Sequence, residues 1–183
     1  DGEQIIYNLN SEGDSYTLAR CTVFFQGAVN VSSEYNGKPV TSIDSKAFKN
    51  CNAITSVTIP DSVRYIESST FENCTGLTSI AISNSVTHIG SSAFENCTGL
   101  TSVTIPDSIT CIESSTFENC TGLTSFKIPD SVTAIYGSAF AGCTGLTSVT
   151  IPDSITYIKS STFENCTGLT SFKIPDSVTA IYG

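Results

Sequence analysis

Apolar residues recur in the same columns every 23 positions along most of the chain. The column that opens each unit holds an isoleucine or a leucine. Its members are Ile54, Leu77, Leu100, Leu123, Leu146 and Leu169. Self-similarity at a fixed period between about 20 and 50 residues is typical of solenoids. Because one short unit cannot bury its apolar face alone, the pattern predicts stacked turns that stabilise their neighbours.

The copy at 100–122, LTSVTIPDSITCIESSTFENCTG, predicts two short strands. Val103 and Ile105 alternate with polar residues, which indicates a half-buried strand. Pro106 ends this strand because proline cannot donate to a sheet ladder. Ile112 lies between two outward residues and marks a second strand. Equivalent strands of stacked copies are expected to pair in parallel, about 4.8 Å apart.

A turn completes each copy. Ser115 and Glu118 have the spacing of a capping box, which starts a helical turn. Gly122 suits the left-handed residue that ends such a turn. We therefore expect a single 3₁₀ or α turn in each repeat, because the segment is too short for a stable α-helix.

The beginning of the chain does not follow the 23-residue pattern. Apolar runs at 5–9 and 16–18 flank a polar stretch at 10–14, which predicts a β-hairpin. Further on, Val29-x-Val31 resembles the first strand of a repeat, and an inserted loop follows it.

We expect residues 1–38 to form an N-terminal capping segment that covers the open face of the first repeat. The leucine-rich repeats then occupy 39–183, with an incomplete last copy, and the two parts form one continuous domain.

The repeats also fall into a larger unit of 46 residues. The copies at 100–122 and 146–168 differ at only two positions. These are Cys111 against Tyr157 and Glu113 against Lys159. Residues 169–183 are identical to 123–137. In the second copy Ser83 takes the place of the proline, which is expected to loosen that corner slightly.

The motif LxxVxIPxxVxxIxxxxFxxCxx resembles the leucine-rich repeat of the Bacteroides surface protein A (BspA)-like class, also described from treponemes. The resemblance spans residues 40–183. It implies a right-handed leucine-rich-repeat solenoid, β-rich, with a parallel sheet on one face; the residues add short second strands, short helical turns and an N-terminal hairpin cap. It further implies a secreted or cell-surface protein whose signal peptide has been removed, often an adhesin for host matrix proteins. It carries no catalytic residues.

Charge and length narrow the classes of function. The net charge of −9 and the pI near 4.3 argue against nucleic acid and anionic membrane surfaces, since both require a basic stripe. The longest apolar runs are too short to span a bilayer. Because solenoids need polar-faced caps, we expect the natural protein to continue beyond Gly183, where the last repeat is incomplete.

Six of the eight cysteines form a column at the same period. They are Cys51, Cys74, Cys97, Cys120, Cys143 and Cys166. Parallel Cβ vectors would leave neighbouring Cβ atoms about 4.8 Å apart, beyond the usual disulfide range of about 3.5–4.5 Å. We therefore expect reduced, buried thiols rather than disulfides or a metal site. Cys111 shares an outward column and is a candidate exposed thiol, while a bridge from Cys21 to the first column cysteine is left open.

Acidic residues and asparagines also recur. The two acidic columns are Asp61, Asp107, Asp130, Asp153 and Asp176, and Glu72, Glu95, Glu118 and Glu164. A calcium-binding stack is one hypothesis. Stabilisation of the turns is the simpler hypothesis, and we favour it, so no metal is predicted. The asparagines of the Asn-Cys-Thr triplets are interpreted as turn residues that bond the backbone rather than as glycan carriers.

Two surfaces with outward side chains are candidate ligand-binding faces, and a solvated surface without a ligand is the alternative for both. The first strands present Ser56, Thr58, Ser79, Ser102, Thr104, Ser125, Lys127, Ser148, Thr150, Ser171 and Lys173. The second strands present Tyr65, His88, Tyr136, Tyr157 and Tyr182. In leucine-rich repeats generally, the first sheet carries ligand contacts, which favours it by resemblance. Exposed tyrosines are enriched at binding interfaces, which supports the other face.

Catalysis is not expected. His88 is the only histidine and has no recurring nucleophile beside it, and no glycine-rich phosphate loop follows a strand. We therefore predict a non-enzymatic binding module of a secreted or surface protein, without a cofactor, nucleic acid or membrane insertion. Its ligand would be a protein or a glycan, including host extracellular matrix. The alternatives are a stiff spacer that projects another domain, and a binding region of a larger enzyme.

Overall fold

The computed structural model describes residues 5–22 and 25–182, which form a stack of similar turns. The strands are β1 (Ile5–Leu9), β2 (Tyr16–Cys21), β3 (Gly27–Asn30), β4 (Glu34–Tyr35), β5 (Lys38–Ile43), β6 (Ile54–Thr58), β7 (Tyr65–Ile66), β8 (Ser79–Ala81), β9 (His88–Ile89), β10 (Ser102–Val103), β11 (Cys111–Ile112), β12 (Ser125–Lys127), β13 (Ala134–Ile135), β14 (Ser148–Thr150), β15 (Tyr157–Ile158) and β16 (Ala180–Ile181). The predicted two strands per repeat and their parallel pairing are confirmed.

No helix occurs in the described part of the chain, so none of its segments is a helix that could span a bilayer. The predicted helical turn is therefore not found. Parts of the predicted cap, at 1–4 and 23–24, lie outside the described residues, as does Gly183.

The predicted N-terminal hairpin is present. Strands β1 and β2 pair antiparallel, with Leu9 opposite Tyr16. The Asn10 side-chain oxygen accepts hydrogen bonds from the backbone N–H of Asp14 (3.1 Å) and Ser15 (3.3 Å). This is the turn chemistry expected of asparagine, and it closes the hairpin.

The segment before the first full repeat continues both ladders of strands. Strand β2 pairs in parallel with β5, and β3 pairs with β6, where Val29 lies opposite Val57. Strands β4 and β5 pair antiparallel and form a second hairpin. Its turn residues Asn36 and Gly37 have φ values of 49° and 73°, the left-handed conformations that a tight Asn-Gly turn requires.

The parallel pairing of the first strands is interrupted at one step. Strands β3, β6, β8 and β10 pair in order, and β12 pairs with β14, but no pairing in the described residues joins β10 to β12. At this step Phe126 follows Val103, and the Phe126 ring lies 5.1 Å from the ring of Phe117 and 4.7 Å from that of Phe140. Because a phenyl ring needs more room than the preceding isopropyl group, the two strands separate here.

The same step recurs 46 residues later. Phe172 follows Val149, and residues 171–173 form no strand beside β14. The sheet therefore opens on the 46-residue period rather than on the 23-residue one.

The ladder of second strands is interrupted between β9 and β11. Gly90 lies against the preceding repeat so closely that a Cβ atom there would sit 2.6 Å from the backbone nitrogen of Ser68. The missing side chain thus allows the backbone of this repeat to lie close to that of the repeat before it. A small apolar gap follows, bordered by Ile89 and Ile112.

A continuous stack of phenyl rings fills the core. Its members are Phe48, Phe71, Phe94, Phe117, Phe140 and Phe163, with centroids 5.0, 5.4, 5.4, 5.4 and 5.5 Å apart in that order. Neighbouring planes are tilted by at most 17°. Such pairs contribute about 0.5–1.5 kcal/mol each beyond the area they bury.

The turn stretch of each repeat bonds to its neighbour instead of forming a helix. In the third repeat the N–H groups of Ser115, Phe117 and Asn119 donate to carbonyls of the following repeat, at 3.1, 2.8 and 2.7 Å. The residues between them donate back within their own turn, as Glu118 does to Ser115 (3.1 Å). This alternation gives the stack a third hydrogen-bonded side.

The prediction that Gly122 is the left-handed residue was wrong. The left-handed φ values belong to Ser115 (56°) and Asn119 (58°), so the capping-box interpretation of Ser115 also fails. Glycine is needed at 122 for another reason. A Cβ atom there would lie 2.6 Å from the carbonyl oxygen of Thr98 in the preceding turn.

The interpretation of the asparagines as backbone-bonding residues was also wrong. Their side-chain amides bond to one another along the stack. The donor–acceptor pairs are Asn73 to Asn50 (3.0 Å), Asn96 to Asn73 (2.9 Å) and Asn119 to Asn96 (3.0 Å). Gly142 occupies the next position with φ of 71° and interrupts the ladder. Asparagine suits this column because its side chain tolerates the left-handed region and carries both a donor and an acceptor.

The cysteine column is buried, and its thiols are free, in agreement with the prediction. Each thiol from Cys74 onward donates to a phenylalanine carbonyl of an earlier repeat, as Cys120 does to Phe94 (3.1 Å). Burial raises the pKa of Cys97 and of Cys143 to about 12. These thiols are therefore packed and inert rather than reactive.

The two cysteines outside the column differ from each other. Cys21 is buried and free, as is Cys51, and the bridge left open between them is not formed. Cys111, the candidate exposed thiol, is half-buried rather than fully exposed. It donates a hydrogen bond to Glu113 Oε1 at 3.4 Å. Burial, followed by the hydrogen bond and charge of Glu113, raises the pKa of Cys111 to about 11.

Gly142→Asn is expected to stabilise the protein. It would supply the missing amide beside Asn119 in a conformation that asparagine tolerates, and the flexible Asn119 side chain, whose Oδ1 lies close to the position of the new Cβ atom, would move to make room for it. We expect a gain of about 0.5–1 kcal/mol in the free energy of unfolding, measured by urea denaturation. Gly142→Ala is the control, since alanine has the strain without the hydrogen bond. Equal free energies of unfolding for the two variants would contradict a stabilising role of the asparagine hydrogen bonds.

Alkylation by iodoacetamide is expected to modify Cys111 first in the native protein. Its raised pKa means that little thiolate is present at pH 8, so the labelling rate should climb as pH approaches about 11. Peptide mass spectrometry measures the rate. Glu113→Gln removes a nearby negative charge and should speed labelling at pH 8, whereas labelling of Cys120 at the same rate as Cys111 would disprove the assignment.

Candidate functional site

The first-sheet face is the surface formed by the outward side chains of the first strands. It holds Ser56, Thr58, Ser79, Ser102, Thr104, Ser125, Lys127, Ser148, Thr150, Ser171 and Lys173, which are exposed except for the half-buried Ser56. Alternation in each strand turns the intervening apolar residues inward, as in β14, where Val149 is buried between Ser148 and Thr150. The structure therefore brings the whole predicted set onto one surface, with Ser171 and Lys173 lying beyond the last paired strand.

This face is not flat. A cleft of about 330 Å³ opens where β10 and β12 separate, and it is lined by Val103, Thr104, Ile105, Asp107, Lys127, Pro129 and Asp130. A second cleft of about 210 Å³ lies 46 residues further on and is lined by Val149, Thr150, Ile151, Asp153, Lys173 and Pro175. Every residue of the second cleft is the 46-residue equivalent of one in the first.

Each cleft carries an unpaired cation beside carboxylates. Among residues 5–22 and 25–182, no carboxylate oxygen lies within 4.0 Å of the ammonium nitrogen of Lys127 or Lys173. By contrast, Lys49 Nζ lies 2.8 Å from Glu72 Oε1 in a salt bridge elsewhere on the surface. Lys127, Asp107 and Thr104 therefore present a donor, an acceptor and a hydroxyl above an apolar floor.

The corner where Ser83 replaces proline is tied by a hydrogen bond. Its hydroxyl donates to the Asp61 carboxylate and accepts from the backbone N–H of Ser85 (3.1 Å). A shallow depression of about 430 Å³ adjoins this corner on the same face.

The tyrosine face is the surface formed by the outward side chains of the second strands. Tyr65 and Tyr182 are about half exposed, at 49% and 52%, and His88, Tyr136 and Tyr157 are half-buried. Lys159 Nζ lies 5.2 Å from the centroid of the Tyr157 ring and 4.7 Å from that of Tyr182. These distances are typical of cation–π contacts.

Two details of this face differ from expectation or were not foreseen. Ala134, in the column expected to point outward, is buried at 6% exposure. The negative charges that Tyr157, Cys111 and Glu113 carry when ionised raise the pKa of Tyr136. Thus Tyr136 is electrostatically coupled to its neighbours although it lies at the surface.

Metal ligands do not converge in the described residues. No group of three or more histidine, cysteine, aspartate or glutamate side chains there has an arrangement that holds a metal ion. The aspartates of the Pro-Asp corners, such as Asp107 and Asp130, are exposed.

Sequence reasoning found both faces but missed the clefts. Their signal was present in the sequence as the alternation of Val103, Phe126, Val149 and Phe172 in one core column. A change of side-chain volume at every second repeat predicts an uneven sheet, and the lysines lie next to the larger residues.

Comparison with known proteins identifies the repeat. The model of the BspA type leucine-rich repeat region matches residues 22–145 and 69–183, with six copies. No protein of curated function matches the sequence.

Three solved structures share the fold. A leucine-rich repeat protein from T. pallidum superposes with a TM-score of 0.91 at 29% identity, over 98% of this chain and 83% of that one. One from Bacteroides ovatus gives 0.82 at 28% identity, over 100% and 55%. A leucine-rich cell surface protein from Faecalibacterium prausnitzii gives 0.78 at 30% identity, over 100% and 50%. The chain thus spans about half the length of the latter two.

Leucine-rich repeat solenoids are generally protein-binding modules or scaffolds and are typically non-enzymatic. Proteins with the BspA-like repeat are typically found at the cell surface. From the matched residues, the ladder of paired strands and the superposed structures, the chain belongs to the BspA-type leucine-rich repeat family.

Proposed function

We propose that this chain is a non-enzymatic binding module of a secreted or cell-surface protein, and that it mediates adhesion to proteins or glycans, including those of a host extracellular matrix. The observation that carries the proposal is the pair of equivalent clefts on the first-sheet face. Each offers an unpaired lysine, carboxylates and a threonine hydroxyl around apolar side chains.

The chemistry of the clefts suits recognition rather than catalysis. Lys127 and Lys173 are exposed and have no carboxylate partner among the described residues, so a ligand that brings an acceptor meets no competing ion pair. Val103 and Ile105 supply apolar contact area beneath them. The lining of the first cleft is mainly polar, which suits a polar or charged ligand held by hydrogen bonds and ion pairs.

We also propose that residues 1–38 serve as the N-terminal cap of repeats 39–183 within one continuous domain. The proposal is supported by the parallel pairing of β2 with β5 and of β3 with β6. The burial of Leu18 and Val29 against the repeats supports it as well.

Surface plasmon resonance against immobilised matrix proteins and glycans tests the adhesive function. We expect Lys127→Glu and Lys173→Glu each to weaken saturable binding by about tenfold, because each reverses the charge inside one cleft. The double variant should be weaker still.

Lys46→Glu is the matched control, since it makes the same change of charge at an exposed position outside the clefts. An equal loss in this control would indicate unspecific electrostatic attraction. Binding that survives the double variant would exclude the first-sheet face. No binding by the unaltered chain would instead favour a spacer that projects another domain.

A further inference from the structure

The two 46-residue units diverge at one place on the surface. Residues 100–137 and 146–183 are identical except at two positions. These are Cys111 against Tyr157 and Glu113 against Lys159. Both positions belong to the tyrosine face, whereas every core residue and every residue of the first-sheet face is unchanged. The scaffold has thus been copied intact while one surface has acquired different chemistry.

The substitution exchanges one kind of contact for another. In the earlier unit, the thiol of Cys111 donates to Glu113 Oε1, which makes a closed, partly buried polar pair. In the later unit, the Lys159 ammonium lies against the ring of Tyr157 and against the ring of Tyr182 in the following repeat. A thiol–carboxylate hydrogen bond is thus replaced by contacts between a cation and two aromatic rings.

The result is a tyrosine–lysine patch, which consists of Tyr136, Tyr157, Lys159 and Tyr182. In the following repeat, Ala180 lies directly opposite Tyr157, so the Tyr157 side chain has no bulky neighbour on that side. Successive rows are about 5 Å apart, which is comparable to the length of one sugar ring. The cation–π contacts hold the lysine and two rings in place before any ligand arrives, which lowers the entropy lost on binding.

The charge of the patch selects its ligand. On a chain of net charge −9, Lys159 is a cation with no carboxylate oxygen within 4.0 Å in the described residues. A carboxylate on the ligand would complement this ammonium, and the three phenol hydroxyls would meet ligand hydroxyl groups. A carboxylated sugar ring, which stacks on an aromatic ring through its face of C–H groups and also carries hydroxyls, matches all of these features.

We propose that the tyrosine–lysine patch binds the carboxylated sugar rings of an acidic polysaccharide, with the Tyr157 ring stacking on the sugar and Lys159 pairing with its carboxylate. This site is separate from the clefts of the first-sheet face. Its variants, at Tyr157 and Lys159, differ from the Lys127 and Lys173 variants that test adhesion, so either proposal can fail without the other.

Isothermal titration calorimetry with polygalacturonate tests the proposal, and fully methyl-esterified polygalacturonate is the matched ligand without charge. The informative variant is Tyr157→Cys with Lys159→Glu, because it restores the sequence of the 100–122 repeat and is therefore compatible with the fold. We expect the unaltered protein to bind the acid at least about tenfold more tightly than the ester. The variant should lose a similar factor for the acid.

The reciprocal variant, Cys111→Tyr with Glu113→Lys, should raise the number of acid-binding sites, since it recreates the patch beside Tyr136. Lys46→Glu changes the net charge equally at an exposed position outside both the patch and the clefts, and it should leave this binding unchanged. No binding of polygalacturonate, equal binding of acid and ester, or an equal loss in Lys46→Glu would overturn the proposal. Retention of binding by Tyr157→Cys with Lys159→Glu, with unchanged thermal melting, would overturn it as well.

Discussion

Contact between a turn and the nearly identical turn beside it is the interaction on which this structure depends. Phe94 stacks on Phe117, and Asn96 bonds to Asn119, so the same side chain serves as both partners of each contact. A residue suits such a column only if it is complementary to a copy of itself. Flat rings, and amides that carry a donor and an acceptor, meet this condition, whereas like charges in a buried column would not.

Features set within one repeat were predictable from its sequence. The alternation of Val103 and Ile105 with polar residues specified a strand and its buried side, because the period of two is a local property. The outward positions of Thr104 and Lys127 followed from the same argument. Hairpin formation before the repeats also rested on local turn residues.

Features that depend on the neighbouring turn were not predictable in the same way. Gly122 is glycine because Thr98 of the preceding turn approaches it, and the left-handed conformation belongs to Asn119 instead. No helix forms in the turn stretches that the structure describes, because alternate N–H groups donate to the next repeat rather than along their own segment. The clefts arise from a difference between successive repeats, which a single consensus repeat conceals.

The 46-residue period of the packing has a consequence for how such a protein changes in length. Residues 100–137 and 146–183 differ at only two surface positions, so unequal recombination that adds or removes one such unit leaves the core contacts between these units as they were. Each added unit brings one more cleft in register with the others. Valency is therefore set by copy number, and avidity for a repetitive ligand can increase without any new mutation in the scaffold.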